Sequence, residues 1–286
     1  MAMKDIWLLV VSRVIFSLYI DIKTVSHHES KVQFNKHYDW LLNTHKNYAL
    51  KHNIEYRHYV YDDEYVTYRD WFLKEYPEIS EYNIVNFYKI HLLYKLSKEY
   101  NEILYLDFDV IPVTNINFFD EWDLSKGIAI MSGTAEAQKQ INELDTLRHK
   151  HNIRSPFAKY WNAKVMFTEK DINAKSEVFN TGIIGASRDR LNELDYFNQF
   201  KETLEFMTDL INDDFYPDSI RCLFGYDNET IFAYKLLGQK LPFQQLDNGW
   251  HHFMDKWDYI PNSAKFVHCI NKNFDYVRGW CEKNNI

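Results

Sequence analysis

The hydrophobic positions of this chain change period from one segment to the next. Across 81–100, Val85, Tyr88, Leu92 and Leu96 recur at three-to-four spacing, the stripe of an amphipathic helix. Directly after it, 102–106 (EILYL) is an apolar run short enough for a buried strand. Residues 54–61 (IEYRHYVY) read as another strand, and 32–51 has helical texture. The apolar run 6–20 (IWLLVVSRVIFSLYI) opens the series; 5–11 reads as its strand, with Ser12 and Arg13 at the carboxyl end. Residues 62–77 begin with Asp62, Asp63 and Glu64 and form an acidic, aromatic loop or short helix. Strand, helix, strand, helix, strand predicts a parallel α/β sheet, in which ligands bind beyond the carboxyl ends of the strands.

The second half is less regular. Residues 127–132 read as a strand and 135–150 as a helix. Residues 177–186 (EVFNTGIIGA) read as a strand broken at 180–182, and 188–210 as one long helix. A shorter helix follows at 228–237 and a late strand at 264–268 (AKFVH). No repeat or linker divides the chain, which predicts a single domain.

One position asks for chemistry. The strand at 102–106 runs into Asp107, Phe108 and Asp109. Alternation along a strand would send both carboxylates to one face. Two close negative charges repel, and each loses hydration where it is partly buried. A metal ion, a phosphorylated substrate or a solvated surface turn would each account for the pair.

Composition narrows the choice. The chain has 286 residues, 46% hydrophobic and 17% aromatic, with only 8 Gly and 6 Pro, so it packs a core and is not disordered. A formal net charge of −8 argues against a general nucleic-acid binder. An anionic ligand would then need a cation or a few placed basic residues. The three cysteines, Cys222, Cys269 and Cys281, are odd in number and lack close metal spacing, which fits a reducing compartment. The run 6–20 is short for a membrane span, carries Arg13 in its middle, and has neither a polar stem nor a cleavage site after it. A soluble, cytoplasmic protein without a strong membrane anchor is the expectation; a signal anchor, with Golgi or membrane association, is the alternative.

The stretch 86–112 (NFYKIHLLYKLSKEYNEILYLDFDVIP) resembles the central segment of GT-A fold glycosyltransferases. More narrowly it is similar to the glycogenin and lipopolysaccharide galactosyltransferase group, glycosyltransferase family 8. Three later segments follow in the family's order. Phe179–Asn180–Thr181–Gly182 resembles its Asn-x-Gly segment, and Tyr226–Asp227–Asn228–Glu229 its Asp-Gln-Asp segment, with Asn and Glu in place of Gln and Asp. Phe266–Val267–His268 resembles the late strand that carries a metal ligand. The resemblance spans roughly 6–272, but the family's His-Gly-Lys-Pro-Trp ending is not intact, since His268 is followed by Cys-Ile-Asn-Lys-Asn-Phe.

The resemblance implies a GT-A (Rossmann-like) α/β domain with a mixed, mostly parallel sheet flanked by helices. Residues 1–125 would form its nucleotide-binding half and 126–286 its acceptor-side half. It implies transfer of a sugar, most simply from a UDP-hexose, to a glycan or other hydroxyl acceptor, with Mn²⁺ or Mg²⁺ as cofactor and with retention of configuration. Asp109 would be the firmest metal ligand, Asp107 a second ligand or a ribose contact, and His268 either the third ligand or a core histidine. Lys89 matches a donor-contacting basic residue of the family, or is a solvated lysine; Lys272 would contact the phosphates. Asn180 and Gly182 would border the sugar, and Ser12 and Arg13 the base and ribose. Asp227, Asn228 and Glu229 would hold the sugar or face its reacting carbon, while Asp227 equally suits a helix N-cap. Residues 247–258 (DNGWHHFMDKWD) offer Trp250 and His251 as acceptor contacts, Trp250 because it follows the turn pair Asn248–Gly249; core packing is the alternative, and Trp257 is open between the two.

Two rival readings remain. A haloacid dehalogenase phosphatase also ends an apolar strand in Asp-x-Asp, yet there the motif begins the domain and a small turn follows it. Here more than one hundred residues precede the motif and bulky Val110 and Ile111 follow. An inactive, sugar-binding glycosyltransferase-like module is the other rival.

Overall fold

The structure is a computed structural model and describes residues 12–22, 28–133, 158–172, 178–214, 225–255 and 258–286. Strand β1 (Arg13–Tyr19) carries five consecutive buried residues, Val14 to Leu18. A strand apolar on both sides has to be covered on both faces. It pairs in parallel with β2 (Glu55–Val60) and with β3 (Glu102–Leu106). Helix α1 (His28–Lys51) links β1 to β2, and α2 (Asp63–Glu75) and α3 (Glu81–Leu96) link β2 to β3. The last two start on side-chain caps: Asp62 accepts from the Tyr65 N–H at 2.9 Å and Ser80 from the Asn83 N–H at 3.4 Å.

Beyond β3 the chain forms β4 (Val110–Pro112), the short helix α4 (Phe118–Glu121), β5 (Ile128–Ser132), α5 (Ala158–Glu169) and β6 (Phe179–Ser187). Helices α6 (Arg188–Leu194), α7 (Phe200–Asn212) and α8 (Asn228–Gly238) follow, then β7 (Phe243–Gln245), β8 (His252–Phe253), β9 (Phe266–His268) and α9 (Phe274–Asn284). The main sheet has the order β2-β1-β3-β6-β5-β7. Only β6 runs against the rest, so the sheet is mixed and mostly parallel, as expected. A second sheet, β4-β9-β8, stands beside it.

The period-two alternation of the strands sorts the core into two layers. Val14, Phe16, Ile103 and Tyr105 pack with α3, α7 and α8. Ile15, Leu104, Leu106 and Ala129 pack with Phe118, Trp250 and Phe266. A third cluster ties α1, the small sheet and α9 together through Leu41, Phe108, Val267 and Phe274.

Several expectations change. Ser12 and Arg13 stand at the beginning of β1, not at its carboxyl end, and Arg13 pairs there with Glu102 and Asp120. The expected strand over 5–11 lies outside the described residues, as does the helix over 135–150. The acidic segment at 62–77 is a full helix, α2. The expected long helix at 188–210 is two helices, because Asp195 and Gln199 take left-handed φ values of 40° and 50° between them. Strand β6 is not broken at 180–182. Its glycines serve close approach instead: a Cβ at Gly185 would lie 2.5 Å from the Phe118 ring, and one at Gly182 equally close to His268. Among the described residues no helix is long and apolar enough to cross a membrane.

Trp250 also departs from expectation. The backbone turns at Asn248–Gly249 as predicted, with Asp247 accepting from the N–H groups of Gly249 and Trp250 at 2.8 and 2.9 Å. The indole, however, points inward and is 2% exposed. It meets Phe118 and Phe266 edge-on at 5.3 and 5.1 Å, so it is a core residue and not an acceptor platform. Trp257 lies outside the described residues. Trp250→Ala should cost about 3–5 kcal/mol of stability. Urea unfolding checks this, and an unchanged midpoint would contradict the core assignment.

Candidate active site

Asp107–Phe108–Asp109 is a turn rather than the tip of a strand. The Asp107 N–H donates to the Gly182 carbonyl at 2.7 Å, and the Val110 N–H returns to the Asp107 carbonyl at 2.9 Å. That reversal, not strand alternation, puts both carboxylates on one side. Phe108 holds the turn by packing inward against His58, Tyr38 and Tyr19, at ring distances of 4.9, 5.2 and 5.4 Å. Behind it, buried His45 binds the Val110 carbonyl at 2.6 Å. Burial pushes the His45 pKa down to about 4, so its ring is neutral.

The turn hands the chain to β4, which pairs antiparallel with β9 and sets Val110 opposite His268. The Cys269 N–H then donates to the Asp109 carbonyl at 2.9 Å. This pairing carries His268 to the two aspartates across a long sequence gap. His268 Nε2 lies 3.6 Å from Asp109 Oδ2 and 3.9 Å from Asp107 Oδ2. The three candidate ligand atoms fall within 4.8 Å of one another.

Both carboxylates also have cationic or hydroxyl partners. Asp107 Oδ1 accepts from Lys89 Nζ at 3.3 Å and from the Tyr105 hydroxyl. Lys89 is therefore buried against the site, not solvated. Lys272 reaches Asp109 Oδ2 despite the altered spacing after His268, and itself takes a left-handed φ of 58°. Burial alone would raise the Asp109 pKa, but Lys272 and then the neighbouring His268 outweigh it and hold the carboxyl far below its usual range. Burial likewise works to lower the Lys272 pKa, and the attraction of Asp109 turns the net shift upward. His268 is packed on one side by His251, whose Nε2 stands 3.0 Å from His268 Nδ1. His251 is fully buried, which removes it as a direct acceptor contact; burial, then His268, keep it neutral.

These groups open onto a cleft of about 990 Å³. One end is lined by Tyr19, Asp21 and Phe34, at the true carboxyl end of β1 and the start of α1. The other end is lined by Lys159, Asn180, Asp227 and Glu229. Asn180 accepts from the Gly182 N–H at 2.9 Å. Asn228 donates from its amide to the Thr181 hydroxyl at 2.8 Å. Glu229 accepts from the Thr181 N–H at 3.0 Å and pairs with Lys159. Burial opposes ionisation of Glu229, but Lys159 prevails and its pKa lies below the usual value. Asp227 is the N-cap of α8, accepting from the Thr230 N–H at 2.7 Å and its hydroxyl at 2.5 Å.

The structure thus gathers Lys89, Asp107, Asp109, Asn180, Gly182, Asp227, Asn228, Glu229, His268 and Lys272 around one cleft. It leaves Ser12, Arg13 and Trp250 away from it, and seats His251 behind His268. Sequence reasoning missed Tyr105, Tyr19, Asp21 and Lys159. Tyr105 was accessible to it, as the residue two positions before Asp107. Lys159 offered no signal, since the helix that bears it was not foreseen.

Asp227 supplies a test of this electrostatic picture. Burial raises its pKa, and its bonds to Thr230 offset only part of that. A carboxyl with a raised folded-state pKa binds its proton more tightly when folded. Stability is then fullest below the unfolded pKa of about 4 and declines as pH rises through the folded value. Asp227→Asn keeps the cap and removes the charge, so it should be at least as stable as the parent at pH 7, with the advantage fading toward pH 4. Melting temperatures at the two pH values decide it; a parent protein markedly more stable at pH 7 would refute the assignment.

Comparison with known proteins places this geometry. No curated protein sequence matches the chain. Among solved structures, mouse xyloside xylosyltransferase 1 in its apo form is similar over 90% of this chain and 97% of that one, at 12% identity and a TM-score of 0.50. A glycosyltransferase involved in glycosylation of the major capsid of PBCV-1 aligns over 93% and 99%, at 12% identity and 0.42. The galactosyltransferase LgtC, in complex with donor and acceptor sugar analogs, aligns over 84% and 75%, at 12% identity and 0.43. The model of the family described as Glycosyl transferase family 8 matches residues 1–216. A match over that much of a 286-residue chain, on a GT-A fold, makes this protein a member of glycosyl transferase family 8.

Proposed function

We propose that this glycosyltransferase moves a hexose from a nucleotide-diphosphate sugar, a UDP-hexose, to a hydroxyl group of a glycan or glycoconjugate, with retention of anomeric configuration. A divalent cation, Mn²⁺ or Mg²⁺, is held by Asp107, Asp109 and His268. The observation that carries this reading is the convergence of those three side chains on the cleft. Two carboxylates and an imidazole suit Mn²⁺ or Mg²⁺ when substrate phosphates complete the set. Neighbouring ligand atoms on an octahedral cation at about 2.1 Å stand about 3 Å apart; the separations of 3.6 and 3.9 Å at His268 are wider, so the three side chains would draw together on a bound ion. When bound, the cation would act as a Lewis acid on the departing diphosphate.

The chain's own groups take the other roles. Residues 1–125 form the nucleotide side of the cleft and 126–286 the acceptor side. Tyr19 and Asp21 take the base and ribose, the role Ser12 and Arg13 cannot fill from the far end of β1. Lys272 turns its ammonium to the diphosphate, and Lys89 adds positive charge through Asp107. Asn180 and Gly182 border the sugar. Glu229, kept ionised by Lys159 and the Thr181 N–H, stabilises the electron-poor carbon that develops as the diphosphate leaves, with Asp227 beside it. Membership of a glycosyltransferase family sets aside the phosphatase reading of the aspartate pair.

Asp109→Asn removes charge with little change of volume. It should abolish Mn²⁺-dependent UDP binding, read by calorimetry with and without Mn²⁺, while leaving the protein folded. Unchanged metal-dependent binding would sink the ligand assignment. Product NMR with a UDP-hexose and a glycan acceptor should show the anomeric configuration of the donor. An inverted product would recast Glu229 or Asp227 as a general base.

A further inference from the structure

We propose that His251 is a positioning residue, fixing the tautomer and ring plane of His268 so that Nε2 is presented to the cation. This rests on the metal reading above and goes beyond it to a residue that does not itself touch the site. An Nε2 lone pair available to a cation requires the ring's proton on Nδ1. That proton then needs an acceptor in a region closed to water. His251 Nε2 is 3.0 Å from His268 Nδ1 and supplies it.

Three observations fit this role. The two rings lie nearly parallel, at 22° and 5.2 Å, and Phe253 packs against both, at 4.4 and 5.5 Å. Gly182 also lies against His268, where a Cβ would stand 2.5 Å from Cε1 and 2.9 Å from Nδ1. The imidazole is thereby held in one plane. Lastly, His251 Nδ1 has no hydrogen-bond partner among the described residues, although it is buried. Among the described residues no other bond dictates the tautomer of His251, so its proton can reside on Nδ1 and leave Nε2 as the acceptor. A buried imidazole with one nitrogen unpaired is a poor choice for stability, since an apolar ring would fill the space without that cost. Its service lies in orienting a metal-binding histidine, as outer partners of such ligands do.

The test is Mn²⁺ affinity, with free Mn²⁺ followed by electron paramagnetic resonance. His251→Leu removes the acceptor and should weaken binding about 10- to 100-fold. His251→Gln places an amide oxygen near the lost Nε2 and should recover most of that affinity. Thermal melts establish that each variant is folded; should the Leu variant not fold, His251→Asn, too short to reach His268, takes its place with the same expectation. Leu or Asn variants that bind Mn²⁺ as tightly as the parent overturn the proposal, as does a Gln variant no better than Leu. Asp109→Asn separates the two layers of the argument. If it abolishes Mn²⁺ binding while His251→Leu does not, only the role of His251 fails; if Asp109→Asn leaves affinity unchanged, the metal reading itself fails.

Discussion

Two carboxylates held side by side at the end of a buried strand must be balanced by positive charge, and much of the molecule is arranged around that requirement. Asp109 is 6% exposed, too deep for water to screen it. The attraction of Lys272 and His268 outweighs the cost of burying it, while Lys89 and Tyr105 occupy one oxygen of Asp107. None of these partners is local except Tyr105. Lys89 comes from α3, and His268 and Lys272 from a segment more than 150 residues later. The fold's task at this point is to close long loops onto a short turn. The pairing of β4 with β9 and the burial of Phe108 do so with backbone bonds and aromatic packing that need no ligand.

The reversed strand β6 has a related part. It places Gly182 against the His268 ring and Asn180 at the cleft, and its Thr181 N–H reaches Glu229 on α8. The Asp107 N–H donates to the Gly182 carbonyl, so the aspartate turn and the sugar side of the cleft share a hydrogen bond. The two ends of the cleft are therefore set against each other by the central sheet. A side chain at position 182 would displace the histidine, and with it the geometry of the carboxylates.

What the sequence disclosed was mainly what local pattern controls. The α3 stripe, β3 and the Asp-x-Asp pair were legible because their signals sit within a few residues. Ser12 and Arg13 were assigned to the wrong end of a strand because 6–20 is apolar almost throughout, and such a run contains no alternation to mark where β1 begins. The helix break at 195–199 escaped notice because Asp195 and Gln199 take the left-handed conformation, one usually announced by glycine. At Trp250 the turn signal was read correctly, but turn residues report backbone direction and say nothing of which way the following side chain faces. His251 was visible as a residue and not as a partner, since its role depends on β8 pairing with β9.

Lys272 shows how the same charge constraint extends to ligands. In the structure its ammonium bonds Asp109 Oδ2, the oxygen that also faces His268 and that the proposed function gives to a cation. One oxygen cannot be shared closely by an ammonium and a divalent ion, since the two positive charges would repel at contact distance. On that proposal a cation arriving alone would have to displace Lys272 from Asp109, at a cost to its affinity. A diphosphate arriving with the cation would offer the lysine a new anionic partner, so each ligand would remove an obstacle to the other. By linkage this coupling is reciprocal: whatever the nucleotide adds to metal affinity, the metal adds to nucleotide affinity. The lysine that stabilises the carboxylates would then also favour joint over separate binding, and both properties would follow from one ammonium placed on one oxygen.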